Sequence, residues 1–317
     1  YKNTSEDLLY AVPVPEQAGV SNTTVTMNAA SMNNSGFEFS ATYRNRDRDF
    51  KYELSANLST LRNRVTSLGF GTDSYISGAY ITNVGQEIGQ FYGWAYEGIA
   101  RTQEDLDNHA TQEGARIGDC LYKDVSGPDG KPDGKIDAND QVVLGSGMPK
   151  IHFGFNARFE YKRFDLSIAT FGALNYHVSD DIYNSLNSCY GWGNKEVGML
   201  DANRFSEDGS TYLSNVPRTY VTNSASLGWN DLFSSRKIQN AAYWKIANVE
   251  LGYNFPNEWF GKYVSDVRFY VSAQNLHTFT GYHGYNVDYA GGTFTPGYNF
   301  CSYPTARTFM CGVHFTF

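Results

Sequence analysis

Four aspartates at fixed intervals form the densest set of oxygen ligands in this sequence. Asp129, Asp133, Gly134, Ile136, Asp137 and Asp140 match positions one, five, six, eight, nine and twelve of a calcium loop. A hard cation needs several oxygens converging around a glycine turn. Two positions depart from that pattern. The third holds Lys131, and Asp140 at the twelfth is shorter than the usual glutamate, which makes bidentate ligation harder. Asp124 and Ser126 stand upstream as replacement ligands. The same residues also suit a solvated acidic turn held by Asx bonds. Calcium here would be structural, neutralising the carboxylates and stiffening a long loop.

The remaining chemistry is sparse. Residues 85–93 carry spaced glycines beside Phe91 and Tyr92. They lack the Lys-Ser/Thr and the helix start of a phosphate-cradling loop, so the glycines suit tight backbone packing or aromatic faces offered to sugar rings. His109, His152, His177, His277, His283 and His314 show no metal-ligand spacing. No serine sits in a nucleophile elbow. These residue types give no argument for an enzyme. Cys120, Cys189 and Cys301 fall in loops, where a disulfide among them has no unique assignment. Cys311 falls on the apolar face of a strand and reads as a small hydrophobe. The net charge of −8 argues against nucleic acid as a partner, because phosphate binding needs clustered Lys and Arg.

The elements that must position these residues are strands. Seven stretches alternate apolar and polar residues, which places one side of each in an apolar medium. Phe37, Phe39, Ala41 and Tyr43 share a face, and Tyr52, Leu54, Ala56 and Leu58 follow after a charged turn. Phe153, Phe155, Ala157, Phe159 and Tyr161 return through Lys162-Arg163 into Phe164, Leu166 and Ile168. Ala247, Val249, Leu251, Tyr253 and Phe255 precede Val267, Phe269, Val271 and Ala273. The last stretch places Phe309, Cys311, Val313, Phe315 and Phe317 together. A soluble sandwich would alternate in the same way, so a surface carbohydrate-binding or adhesive β-sandwich domain is the alternative.

Three features favour a membrane. Short turns alternate with long excursions, as in transmembrane barrels. Aromatics including Tyr43, Tyr52, Tyr161, Phe164, Tyr253 and Trp259 crowd the strand ends beside the short turns, where an interfacial girdle would sit. Phe315 and Phe317 lie at the same level. No run approaches the roughly 18 apolar residues of a membrane helix, but barrel strands spend only alternate residues on lipid. The fold class predicted is all-β, part of a large antiparallel transmembrane barrel with about seven spanning strands in this chain. Phe39, Leu54, Phe155, Leu166, Val249 and Phe269 are the expected lipid-facing residues. With Phe317 on the periplasmic side, all three short turns are periplasmic, and regions 63–149, 175–239 and 277–305 are extracellular loops. This parity requires that residues 88–99 do not cross the bilayer.

Several phrases now acquire a family meaning. Residues 85–98 read GQEIGQFYGWAYEG and residues 124–145 read DVSGPDGKPDGKIDANDQVVLG. Residues 243–255 read YWKIANVELGYNF, residues 267–285 read VRFYVSAQNLHTFTGYHGY, and the chain ends YPTARTFMCGVHFTF. In this order they resemble the C-terminal third of SusC/RagA-like TonB-dependent outer-membrane transporters of Bacteroidetes. The resemblance covers essentially the whole of residues 1–317. It implies part of a plugged barrel of about 22 strands. It further implies import of oligosaccharides or peptides across the bacterial outer membrane, with a SusD-like lipoprotein as lid and TonB as energy coupler. The plug domain, the TonB-contacting segment and the N-terminal strands would then lie upstream, and the remaining barrel strands would be needed to close the sheet. Within the same resemblance, the terminal aromatics Phe315 and Phe317 would serve as the insertion signal of the last strand.

Overall fold

The computed structural model describes residues 1–13, 24–68, 72–189, 193–219, 225–260, 264–288, 291–300 and 302–317. Cys301, one of the three loop cysteines, lies outside the described residues. The seven alternating stretches form one antiparallel sheet. Its strands are β1 (Glu38–Asn45), β2 (Phe50–Thr60), β3 (Ile151–Tyr161), β4 (Phe164–Leu174), β5 (Tyr243–Asn254), β6 (Asp266–Thr280) and β7 (Thr308–Thr316). Each is bonded to its predecessor, so the sheet is an up-and-down meander in chain order. The sheet is open, since among the described residues β1 and β7 each pair on one side only.

Register follows the pleat. β3 and β4 pair without a shift from Ile151↔Leu174 to Tyr161↔Phe164, closed by a two-residue turn in which Lys162 takes φ 54°. β3 also pairs β2 without a shift, from Ile151↔Thr60 to Tyr161↔Phe50. Eleven residues match the length of a tilted strand that crosses a bilayer.

The apolar side of this sheet is bare. Phe39 is 64% exposed, Phe155 41% and Phe269 40%. Leu54, Leu166 and Val249 are half-buried by their strand neighbours. No second sheet bonds to or closes over this face among the described residues, so the sandwich alternative does not form. Exposure of a continuous apolar face is what lipid requires and water penalises. Rings line both ends of it. Beside the short turns, Phe164 meets Tyr253 at a tilt (4.8 Å), Tyr253 meets Phe255 edge-on (5.0 Å) and Phe50 stacks on Phe159 (5.9 Å). At the opposite end Trp244 stacks on Phe279 at 5.3 Å, and His277 abuts Phe279 at 4.4 Å.

One strand departs from simple alternation. The pairings of β5 skip Ala247, with a shift against both β4 and β6. Ala247 was expected on the apolar face with Val249; it is instead the extra residue of a bulge. A bulge reverses the pleat beyond it. Trp244 therefore shares the outer face with Val249, whereas Lys245 turns inward, 4% exposed, and pairs with Asp288 at 2.6 Å.

Apolar burial is concentrated in the segments joining the strands. One cluster gathers Ala173, Tyr176, Val178, Ala241, Tyr243, Tyr282 and Val287; another holds Cys120, Tyr122 and Ile136. Residues 88–99 do not enter the large sheet. Gln90–Trp94 lies between Tyr80–Asn83 and Gln141–Ser146 in a four-stranded sheet, and Tyr96–Ile99 pairs Cys120–Tyr122. Strands Lys2–Pro13 and Thr24–Ser35, not legible as strands in the sequence, join Arg62–Ser67 in a three-stranded sheet. They prolong the β1–β2 hairpin through Gly36, where a Cβ would stand 1.8 Å from the Thr60 carbonyl oxygen. Only glycine lets the chain bend there.

Candidate functional site: the polar wall and the outer loops

The inner face of the sheet carries ordered charges near the short-turn end. Arg44 Nε lies 2.8 Å from Glu53, and Arg158 Nε lies 3.2 Å from Glu160. Cross-strand pairing places Glu53 beside Arg158 and Lys51 beside Glu160. A cavity of about 370 Å³ opens among Arg46, Lys51, Glu53, Arg158 and Glu160. Further along, Arg268 bridges two carboxylates: its Nε donates to Asp165 Oδ1 at 3.0 Å and its Nη2 to Glu250 at 2.8 Å. Asn254 adds a bond to Asp165 at 3.3 Å. The bridge crosses directly over Gly252, where a Cβ would meet Arg268 at 2.4 Å and Asp165 at 2.5 Å. Gly312 is covered by Tyr270 in a similar way, at 2.7 Å. Such a wall is polar and charged in both signs. It suits passage or docking of polar matter; these paired charges form no nucleophile–base arrangement.

The acidic motif lies in the loops, away from this wall. Asp140 is fully buried and accepts backbone N–H bonds from Val125 (2.8 Å), Ser126 (3.1 Å) and Asp137 (2.8 Å). Asp124 accepts from Gly134 at 2.7 Å and Asp133 from Lys135 at 3.0 Å. Asp137 caps a short 3-10 turn by accepting from Asn139 at 2.7 Å. The carboxylates are thus spread over separate backbone donors. Asp129 is exposed. Among the described residues no group of three or more His, Cys, Asp or Glu side chains is placed to hold a metal ion. The loop closes on its own hydrogen bonds.

Two further constellations were not read from the sequence. Asp180, 4% exposed, caps the helix Asp181–Leu186 through Tyr183 N at 2.9 Å, and the hydroxyl of Tyr282 donates to it. Asn299 adds a bond to Tyr282 at 2.8 Å, tying residues more than a hundred positions apart. Burial and the Asp180 carboxylate both push the Tyr282 hydroxyl above its ordinary pKa, so it stays a donor. Asp119 pairs with Arg218 at 2.7 Å and accepts from Asn230 at 2.7 Å. Asn230 in turn accepts from Cys120 N at 2.7 Å. Burial pushes the thiols of Cys120 and Cys189 up to about 12, which makes both inert packing groups. No spacing rule relates these positions; only the folded loops bring them together.

The terminal residues Phe315 and Phe317 are exposed, Phe315 pairing with Val267 at the end of β7. His314 pairs with Arg268 on the inner face.

No protein-family model matches the chain. Curated relatives match it from end to end. It is 31% identical over 336 aligned residues to TonB-dependent receptor P3 of Formosa agariphila, covering 100% of this chain and 32% of that protein. It is 25% identical to TonB-dependent receptor SusC of Bacteroides thetaiotaomicron, covering 100% of this chain and 29% of that protein. The chain therefore spans about a third of the length of the relatives it matches. Among solved structures, one of the RagAB peptide transporter superposes with a TM-score of 0.77 at 22% identity, covering 98% of this chain and 32% of that one. At that identity the likeness establishes the barrel fold.

Proposed function

We infer, for a chain that is SusC/RagA-like over its whole length and an outer-membrane β-barrel protein by that kinship, that it forms one flank of a TonB-dependent importer of oligosaccharides or peptides. The relatives carry the names of receptors and transporters, not of enzymes. The observation that carries the reading is the division of the sheet: lipid-compatible residues on one face, ordered charge on the other, and a folded mass of loops at the end away from the short turns. Such a wall encloses a hydrated passage when the sheet is closed. A SusD-like lipoprotein over the loops and TonB coupling through upstream sequence complete the proposal, supported by the kinship with SusC and by the likeness to a structure of RagAB. Regions 63–149, 175–239 and 277–305 are read as its extracellular loops, and Phe315 with Phe317 as its insertion signal. Calcium at residues 124–140 is a subsidiary proposal, resting on the exposed carboxylates of Asp129 and Asp133; titration of chelator-stripped protein checks it.

The test is genetic and transport-based. Deleting the gene should abolish growth on the cognate oligosaccharide or peptide mixture as sole nutrient, and the intact gene should restore it. Restoration should fail in a strain lacking TonB. Growth that is indifferent to both deletions would refute the importer reading.

A further inference from the structure

A cleft of about 560 Å³ in the outer loops is walled by Trp94, Trp229 and Leu232 and rimmed by Glu113 and Asp137. Its construction links each indole to one of the acids. Trp94 Nε1 donates to the backbone carbonyl of Asp137 at 3.0 Å, and Trp229 Nε1 donates to that of Glu113 at 2.8 Å. Both rings are braced from behind. Trp94, Trp229 and Leu232 pack against the buried cluster of Cys120, Tyr122 and Ile136, and the Tyr122 hydroxyl donates to the Trp229 carbonyl. The rings and the backbone that carries the two acids are therefore held in place, and Asn139 holds the Asp137 carboxylate.

The polar character of the wall is one-sided. Both indole N–H groups are spent, and among the described residues no side chain lining the cleft is a basic or amide donor. Glu113 forms no ion pair among the described residues, and neither does Asp137. A sugar would need donors as well as acceptors around its hydroxyls. A cation needs only acceptors and aromatic faces, and its alkyl stem needs an apolar wall. We propose that this cleft binds a basic side chain, lysine or arginine, of a peptide arriving at the outer surface. The identity of that peptide as cargo rests on the importer reading; the binding itself does not.

The experiment uses the intact outer-membrane protein containing this chain, purified in detergent without TonB, so a failure of import leaves the binding result separate. The probe is the capped tripeptide acetyl-Gly-Lys-Gly-amide, followed by calorimetry and tryptophan fluorescence. Controls are the same tripeptide with Nε-acetyl-lysine, and maltoheptaose. Binding of the lysine peptide should exceed that of the acetylated form about tenfold, and Glu113→Gln should weaken it about fivefold. Glu113 is exposed, so this substitution leaves the fold in place. Glu113→Lys should abolish binding. Equal binding of the acetylated peptide, indifference to Glu113→Gln, or binding of maltoheptaose in place of the peptide would overturn the proposal.

Discussion

Asp140 shows how one side chain organises a loop. It is buried with its charge, and three backbone N–H groups from two separate turns satisfy it. Charge-assisted bonds to a buried carboxylate are among the stronger local contacts. Asp140→Ala should therefore release the amides of Val125 and Ser126, read as faster hydrogen exchange there. The metal question separates cleanly from this one: chelation should leave those two amides protected, because their partner is Asp140 itself. His177 supplies a pH dependence. Burial, then the nearby Lys150, hold its pKa below the ordinary histidine value of about 6.5. The unfolded segment therefore binds a proton before the folded one does. Stability at this loop is full above about pH 6.5 and falls as pH drops toward the lower folded pKa. The protection factor around Val178, with exchange corrected for the intrinsic pH dependence of amide exchange, should fall on going from pH 7.5 to pH 5.5, and His177→Gln should flatten that response.

At the scale of the strand, alternation made the sheet readable. A residue two positions on faces the same solvent, so Phe39, Leu54, Phe155 and Phe269 could be assigned without knowing their neighbours. The bulge at Ala247 was not readable, because an extra residue leaves the local composition unchanged and shows only in the pairing. The same limit hid the Asp165–Arg268–Glu250 bridge. Its one sequence trace is Gly252, a residue without a side chain in an otherwise full strand, which register turns into a seat for the guanidinium. The loop constellations left less trace still, since Asp180 and Asn299, or Asp119 and Asn230, are joined by folding over long separations. Substitutions on the two faces test the strand assignments. Leu54→Arg or Phe155→Arg should cost about 2–4 kcal/mol in a folding titration, whereas Ser55→Arg and Asn156→Arg on the inner face should be mild. Gly252→Val should evict Arg268 from its seat and lower the unfolding midpoint, while Ser272→Val should not reproduce that eviction.

The whole molecule divides its stabilisation between two solvents. The large sheet contributes few buried apolar residues and leaves its outer face bare, while the loops fold around apolar cores of their own. This division predicts two separable transitions. The outer mass should keep its tertiary contacts in conditions that disturb only the bilayer-facing sheet. The sheet, however, has unpaired backbone along β1 and β7, and hydrocarbon offers no water to satisfy it. Residues 1–317 expressed alone should therefore fail to give a protease-resistant, heat-modifiable band after refolding into detergent. Supplying the additional strands that close the barrel should produce that band. The same assay places the terminal aromatics: removing Phe317 from the closed protein should reduce the inserted fraction in cells while leaving detergent refolding unchanged, because the residue is exposed and outside the bonded part of β7. Equal losses in both settings would mean that Phe317 acts through stability, and the assignment of an insertion signal would fall.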